Sequence, residues 1–235
     1  MDKLDNIYRT ILGDGLREFK YLNSHLRPTG TDKGKMKGSI FCFREKEALK
    51  VGRGVIVTST EAGENTDAFT HWTPNVYRYG RKKGNGIVEG YSEKNLRQVN
   101  TFVIDIDSKN FDWTDILLLG LDRGLMQTLI LKTTKGYQVY YVLSKPAFVT
   151  NKSSYKVIER KVYSEEFLAV DMGCNHFGVA RIPRTDNVLY FDDNNRRSLG
   201  DWINWSIKQS DRLDNKPAHM QLVRRNGGPR QIDEP

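Results

Sequence analysis

The alternation of apolar and polar positions is clearest at residues 102–107. A β-strand places successive side chains on opposite faces, so this run predicts a strand with one apolar face. The apolar positions are Phe102, Ile104 and Ile106. Asp105 and Asp107 then lie side by side on the other face, where two carboxylates require a neutralising cation or solvent.

The periodicity becomes helical after this strand and then returns to that of strands. Apolar residues at helical spacing predict a helix that begins at Asp112 or Thr114 and ends near Gly124. Residues 126–132 predict a buried strand, 133–136 a turn and 137–143 the hairpin partner. A further helix is expected between residues 153 and 167, and a last strand at residues 188–191.

This element order predicts an α/β (α+β) fold. The order β-α-β-β-α-β is that of RRM-like or ferredoxin-like cores, whose antiparallel sheet places the first and third strands side by side. Asp105 and Asp107 are then expected beside Gln138 and the turn formed by Lys135 and Gly136. We assign residues 96–207 to this core, residues 1–95 to an N-terminal α/β subregion, and residues 208–235 to a polar linker.

The N-terminal subregion carries weaker patterns. Apolar residues at helical spacing from Ile7 to Leu16 predict an amphipathic helix, and residues 39–44 and 54–58 predict strands. Residues 27–38 form a basic, glycine-rich stretch that can follow phosphates or be a solvated loop. Aromatic and basic residues at 77–83 can contact single-stranded nucleic acid, although half-buried packing is the more frequent arrangement of aromatic strand pairs. The residues concerned are Tyr77, Arg78, Tyr79, Arg81, Lys82 and Lys83.

Composition adds a polyanionic partner to this picture. The 235 residues are 38% hydrophobic, which is enough for a folded core, and 37 Lys and Arg against 29 Asp and Glu give a net charge of +8. Cys42 and Cys174 are too few for a disulfide framework, which favours a reduced, cytoplasmic protein. No apolar run approaches the roughly 18 residues of a membrane-spanning helix.

The candidate chemistry is that of divalent metal and phosphate. Hard ions such as Mg²⁺ prefer clustered carboxylate oxygens, and Asp171 can complete a site begun by Asp105 and Asp107. Arg181 and Arg184 suit a triphosphate, because the planar guanidinium matches phosphate geometry. Each group has a plainer alternative. Asp105 and Asp107 can be solvated at the end of a strand, and Asp171 can be a turn residue. Arg181 and Arg184 can be surface ions. A zinc site at Cys174 and His176 lacks partners.

An RNA-recognition module is a further alternative for this topology. Its third-strand signature begins with a basic residue, glycine and an aromatic, as do Lys135, Gly136 and Tyr137. Gln138 and Val139 then depart from that signature, and the first strand carries aspartates where stacking aromatics are expected. The face therefore fits metal and nucleotide better than stacked bases.

Several segments carry a family resemblance. FVIDID at 102–107, KTTKGYQVY at 132–140 and VD at 170–171, with ARIPRT at 180–185, resemble the three motifs of the archaeo-eukaryotic primase superfamily. THWTPNVYRYG at 70–80, NLRQ at 95–98 and CNHFG at 174–178 are similar to replication initiators of theta-replicating Gram-positive plasmids. Such initiators are typically longer, so the chain resembles their N-terminal primase-like domain.

The resemblance implies roles for individual residues. Asp105, Asp107 and Asp171 match the acids that hold two divalent ions, Mg²⁺ or Mn²⁺. Gln138 stands where the family usually has a histidine that contacts the nucleotide phosphates, and glutamine can donate a hydrogen bond but cannot carry charge. The remaining positions that match phosphate contacts are Thr134, Lys135, Arg181 and Arg184.

The function that the resemblance implies is plasmid replication initiation by a DNA-templated primase or polymerase. This nucleotidyltransferase would use two metal ions, a single-stranded DNA template and nucleoside triphosphates, with the plasmid origin and other replisome proteins as partners. The alternative is an origin-DNA-binding module on a primase-like fold with weak or lost catalysis, which the net charge and Gln138 favour.

Overall fold

The computed structural model describes residues 3–20, 35–58, 68–107, 112–148 and 178–212. The chain divides into two compact units, the first of Met1–Asn100 with Phe177–Val188 and the second of Thr101–His176 with Leu189–Pro235. The division after Asn100 lies five residues beyond the expected boundary at residue 95. Residues 178–188 belong to the first unit, whereas we had assigned them to a continuous core of residues 96–207.

The described elements are short in the first unit and longer in the second. The helices are α1 Lys3–Leu12, α2 Lys46–Lys50, α3 Trp113–Arg123 and α4 Leu199–Arg212. The strands are β1 Glu18–Lys20, β2 Lys35–Lys37, β3 Ile40–Phe43, β4 Val55–Val57, β5 His71–Trp72, β6 Val76–Tyr77, β7 Arg81–Lys82, β8 Val88–Glu89, β9 Leu96–Ile106, β10 Leu129–Lys132, β11 Tyr137–Phe148, β12 Ala180–Arg181 and β13 Val188–Phe191.

In the first unit, four strands form an antiparallel sheet in the order β12–β5–β3–β4. The predicted strands at 39–44 and 54–58 are confirmed as β3 and β4, and the predicted helix is confirmed as α1. The ring of Tyr8 on α1 meets that of Trp72 on β5 edge-on at 5.4 Å, and both rings are buried. Separate pairings join β1 to β2, β7 to β8, and β6 to the start of β9.

In the second unit, the strand order is β13–β10–β11–β9. The predicted adjacency of β9 and β11 is confirmed. The ferredoxin-like order is wrong in one respect, because β13 lies beside β10 instead of beside β9. Hydrogen bonds from the Asp192 N–H to the Thr128 carbonyl and from Asn195 Nδ2 to the Gln127 carbonyl fasten the end of β13 to the start of β10. The mixed α/β class with antiparallel sheets is as predicted.

Helix α3 has the ends that its sequence predicts. The Asp112 carboxylate accepts a hydrogen bond from the Trp113 N–H at 2.6 Å and forms a capping box with Asp115. Gly124 ends the helix at φ 66°, in the left-handed region that glycine adopts without strain. Leu121, on the same helix, is 67% exposed.

Three expectations fall wholly or largely outside the described residues: Asp171, the helix at 153–167 and residues 27–34 of the basic stretch. The polar linker was expected from residue 208, yet α4 continues to Arg212, and residues 213–235 lie outside the described ranges. Trp202 and Trp205 on α4 are buried, as packing anchors would be. No helix within the described ranges combines the length and apolar character needed to cross a membrane.

Candidate functional site

The acid pair lies on the polar face of β9. Phe102, Ile104 and Ile106 are buried, and the Phe102 ring packs at 5.9 Å from the ring of Trp202 on α4. Asp105 is partly exposed and the Asp107 side chain is 42% exposed. Burying an ionised carboxylate without a partner costs roughly several kcal/mol. The strand turns its apolar side inward and leaves Asp107 exposed and Asp105 partly exposed.

The turn between β10 and β11 places a cation beside this pair. The Thr133 N–H donates to the Gly136 carbonyl at 2.9 Å, and the Gly136 N–H donates to the Thr133 hydroxyl at 3.0 Å. These two bonds fix the tight turn, which presents Thr134 and Lys135 to solvent. Lys135 Nζ lies 3.4 Å from Asp107 Oδ2. The hairpin therefore positions Lys135, whose ammonium group can bind a phosphate, next to the carboxylate of Asp107.

Gln138 is the second neighbour of the pair. It lies opposite Leu131 in the β10–β11 hairpin and is 8% exposed. Its Nε2 lies 3.4 Å from Asp105 Oδ2, at the long end of hydrogen-bond distances. The expectation that Asp105 and Asp107 neighbour Gln138 and the Lys135 turn is therefore confirmed.

The ion pair between Lys135 and Asp107 is weak enough to rearrange. The two side chains are 74% and 42% exposed, and pairs of this kind contribute about 0–1 kcal/mol to stability. An incoming cation or phosphate can therefore replace this contact at little cost. Lys135 can then contact an anion while Asp107 contacts a metal ion.

The donor set fits a hard divalent ion. Mg²⁺ is commonly bound through one or two carboxylates, with water and substrate phosphates completing the shell. Asp105 and Asp107 supply two carboxylates on one exposed face. Across the described ranges, no group of three or more His, Cys, Asp or Glu residues could hold a metal, and Asp171, the third expected ligand, lies outside those ranges.

The two candidate arginines lie in the first unit and differ in their surroundings. Arg181 is on β12, directly opposite His71 on β5. Arg184 Nε donates to Asp186 Oδ1 at 3.0 Å, and the Arg184 side chain is 28% exposed. Arg184 therefore already contacts an acid in this structure.

Two of the residues expected to contact DNA are buried. Tyr77 is fully buried, its ring meets that of Phe41 edge-on at 5.4 Å, and burial raises the pKa of its hydroxyl. Arg78 is 8% exposed and donates to the backbone carbonyls of Leu96 and Lys94. The packing alternative therefore describes the Tyr77 ring, and the Arg78 guanidinium is engaged by backbone carbonyls.

The rest of the expected DNA surface is accessible. Tyr79 is partly exposed, and its carbonyl accepts a bond from Asn95 Nδ2 at 2.7 Å. Arg81 and Lys82 are exposed on β7, which pairs with β8 in a short hairpin. Lys83 is also exposed, and its ammonium forms an ion pair with Glu89.

His71 carries no signal in the sequence that marks it as a functional residue on its own. The imidazole is 8% exposed, and its Nδ1 lies 2.8 Å from the Thr70 hydroxyl. Burial, followed by the nearby Arg181 and Lys46 charges, lowers its pKa to about 4, with Glu47 acting in the opposite direction. A lone histidine is a weak signal, and only its place within the THWTPN block singles it out.

The chain is similar in sequence to replication initiation proteins over about half of their length, and no family model matches it. It is 46% identical over 244 residues to Protein RepS of Streptococcus pyogenes and to Protein RepR of Streptococcus agalactiae, which covers 97% of this chain and 49% of each relative. It is 37% identical to the Replication initiation protein of Bacillus anthracis, over 93% of this chain and 48% of that protein. The chain thus spans about half the length of these relatives.

Among solved structures, the chain is similar to the AEP domain of the primase-polymerase of cyanophage S-2L. The TM-score is 0.48 at 15% identity, over 71% of this chain and 87% of that one. A similarity at this level establishes no shared activity.

Proposed function

We propose that this chain is a nucleotidyl-transfer domain that acts in replication initiation. It is similar to replication initiation proteins over about half of their length. The observation that carries the proposal is the convergence of Asp105, Asp107, Lys135 and Gln138 on one face of the second unit. Acids that hold a metal and donors that hold phosphates are the two requirements of DNA-templated primer synthesis.

The proposed reaction is attack of a 3′-hydroxyl oxygen on the α-phosphorus of a nucleoside triphosphate. A new P–O bond forms, the hydroxyl proton passes to solvent, and the bond to the pyrophosphate leaving group breaks. Divalent ions, Mg²⁺ or Mn²⁺, would be held by Asp105 and Asp107 and would supply charge neutralisation and an activated hydroxyl when bound. Asp171 would complete the ligand set.

The chain's own side chains would bind and orient the triphosphate. Lys135 can leave its exposed contact with Asp107 and place its ammonium on a phosphate oxygen. Gln138 can donate from Nε2 to a second phosphate oxygen while it remains neutral. A neutral amide stabilises the developing negative charge less than a protonated histidine, so turnover is expected to be slow.

Incorporation of labelled nucleotides on single-stranded DNA tests the proposal. Product is expected with Mg²⁺ or Mn²⁺ and is expected to disappear in the chain carrying Asp105→Asn and Asp107→Asn. Asp122→Asn, on the exposed side of α3, is the matched control and should retain product. Equal product from the double variant and the wild type would refute the catalytic role.

The exposed basic hairpin favours a second candidate, a DNA-binding module for the plasmid origin. Arg81 and Lys82 lie on exposed strand β7, and the chain carries a net charge of +8. This candidate predicts a footprint on origin DNA that survives chelation of divalent ions, together with no nucleotide incorporation. Both activities can reside in one chain, because they use different residues.

A further inference from the structure

Strand pairing in the first unit places a histidine and an arginine on the same face. His71 on β5 lies opposite Arg181 on β12 and opposite Phe43 on β3. Residues directly opposite in an antiparallel pair have side chains on one face, with Cβ atoms about 4.5–5.5 Å apart. His71 is thus held within a four-stranded sheet, with a guanidinium beside it.

The hydrogen bonding of His71 leaves one ring nitrogen for a ligand. Nδ1 is within 2.8 Å of the Thr70 hydroxyl, which can donate or accept. Within the described part of the chain, no hydrogen bond engages Nε2. An anion at Nε2 would select the tautomer whose proton is on Nε2, with the Thr70 hydroxyl then donating to Nδ1. The ring is only 8% exposed, so its orientation is fixed before a ligand arrives.

The charges around the ring favour an anion. Burial of the ring, followed by the nearby charges of Arg181 and Lys46, lowers the pKa of His71, and Glu47 acts in the opposite direction. The imidazole therefore stays neutral near pH 7 and offers an N–H without adding a third positive charge. Arg181 contributes a planar fork that matches the oxygens of a phosphate group.

We propose that His71 and Arg181 form a phosphate-binding pair in the first unit, with the imidazole Nε2–H and the guanidinium donating to oxygens of one phosphate group. The inference rests on the proposed function for its ligand, which is a phosphate group of a nucleotide or of a DNA strand that binds the first unit. His71 is a positioning and binding residue in this account and takes no part in proton transfer.

Equilibrium binding by the full 235-residue chain tests the pair without turnover. Calorimetry would give the Kd for a nucleoside triphosphate, and fluorescence anisotropy would give the Kd for a single-stranded oligonucleotide. His71→Leu and Arg181→Gln should each raise one of these Kd values about tenfold, as expected for a lost hydrogen bond to a charged group. His71→Gln keeps an N–H donor and should restore most of the affinity. Arg17→Gln, which changes a 78% exposed arginine of the same unit, should change neither value.

The two binding arms identify the source of the phosphate. A change confined to the triphosphate assigns the pair to the nucleotide, and a change confined to the oligonucleotide assigns it to DNA. If neither Kd changes by more than about twofold in folded variants, the proposed pair is refuted. If His71→Leu fails to fold, Arg181→Gln decides the matter. In a further outcome, the wild type incorporates no nucleotide while His71→Leu and Arg181→Gln still weaken anion binding. That result would refute the proposed catalysis and leave the pair standing.

Discussion

Two runs of this chain alternate in similar ways and have opposite fates. On β9, Asp105 and Asp107 emerge on an accessible face, as their alternation predicts. At residues 76–79, Tyr77 and Arg78 were candidates for contact with single-stranded nucleic acid, with packing of the aromatic rings as the alternative, and both residues are buried. The difference is the cost of burial. A carboxylate pair cannot enter a core without a cation, whereas a tyrosine ring packs there readily and an arginine can be satisfied by backbone carbonyls.

The largest effect that can break this comparison is the loss of the buried ring. Tyr77→Ala should lower the free energy of unfolding by about 3–5 kcal/mol, because it removes a fully buried aromatic ring. Urea denaturation measures this loss. Lys82→Ala, on exposed β7, should change stability by no more than about 0.5 kcal/mol. A stable Tyr77→Ala chain with weakened affinity for single-stranded DNA would instead support base stacking by Tyr77.

A smaller loss of stability should follow protonation of His71. Its folded-state pKa of about 4 lies below the ordinary 6.5, so the unfolded chain binds the extra proton between those values. Stability should therefore fall as the pH drops from 6.5 towards 4, and it should change no further below that range on account of this group. Denaturation at pH 7 and pH 4.5 measures the loss, which should be smaller in His71→Gln. Equal losses in both chains would argue against a neutral His71.

On the acid face, Gln138 should affect activity more than stability. Gln138→Leu keeps the approximate volume but removes the amide, so nucleotide incorporation should fall about tenfold through loss of one hydrogen bond to phosphate. Primer extension on single-stranded DNA measures the change. Gln138→His should recover or exceed the wild-type rate, because imidazole can donate and can carry charge. Unchanged incorporation in Gln138→Leu would remove Gln138 from the nucleotide site.

The exposed hairpin should show the smallest effect. Arg81→Ala combined with Lys82→Ala should weaken DNA binding several-fold and lower the slope of log affinity against log salt by about 1–2. Anisotropy titrations at several salt concentrations measure both quantities. Arg78→Ala is the informative contrast, since it should cost stability and leave the salt slope as it is. If the slope of log affinity against log salt changes only in Arg78→Ala, Arg78 contacts DNA and Arg81 does not.

The sequence predicted those features that single strands and local signals determine. The buried face of β9, the two ends of α3 and the 133–136 turn each follow from a few neighbouring residues. The place of β13 does not, because hydrogen bonds such as Asp192 to Thr128 join residues far apart in the chain. His71 was missed for a similar reason, since only the pairing of β5 with β12 brings it to Arg181.

The most direct test of the acid face is metal binding without any substrate. Titration of Mn²⁺ into the chain, with the free ion followed by its paramagnetic resonance signal, counts the ions bound. We predict that the wild type and Asp122→Asn bind Mn²⁺ and that the chain with Asp105→Asn and Asp107→Asn has lost that binding. Equal binding by the double variant, or no binding by the wild type, would contradict a metal site on β9.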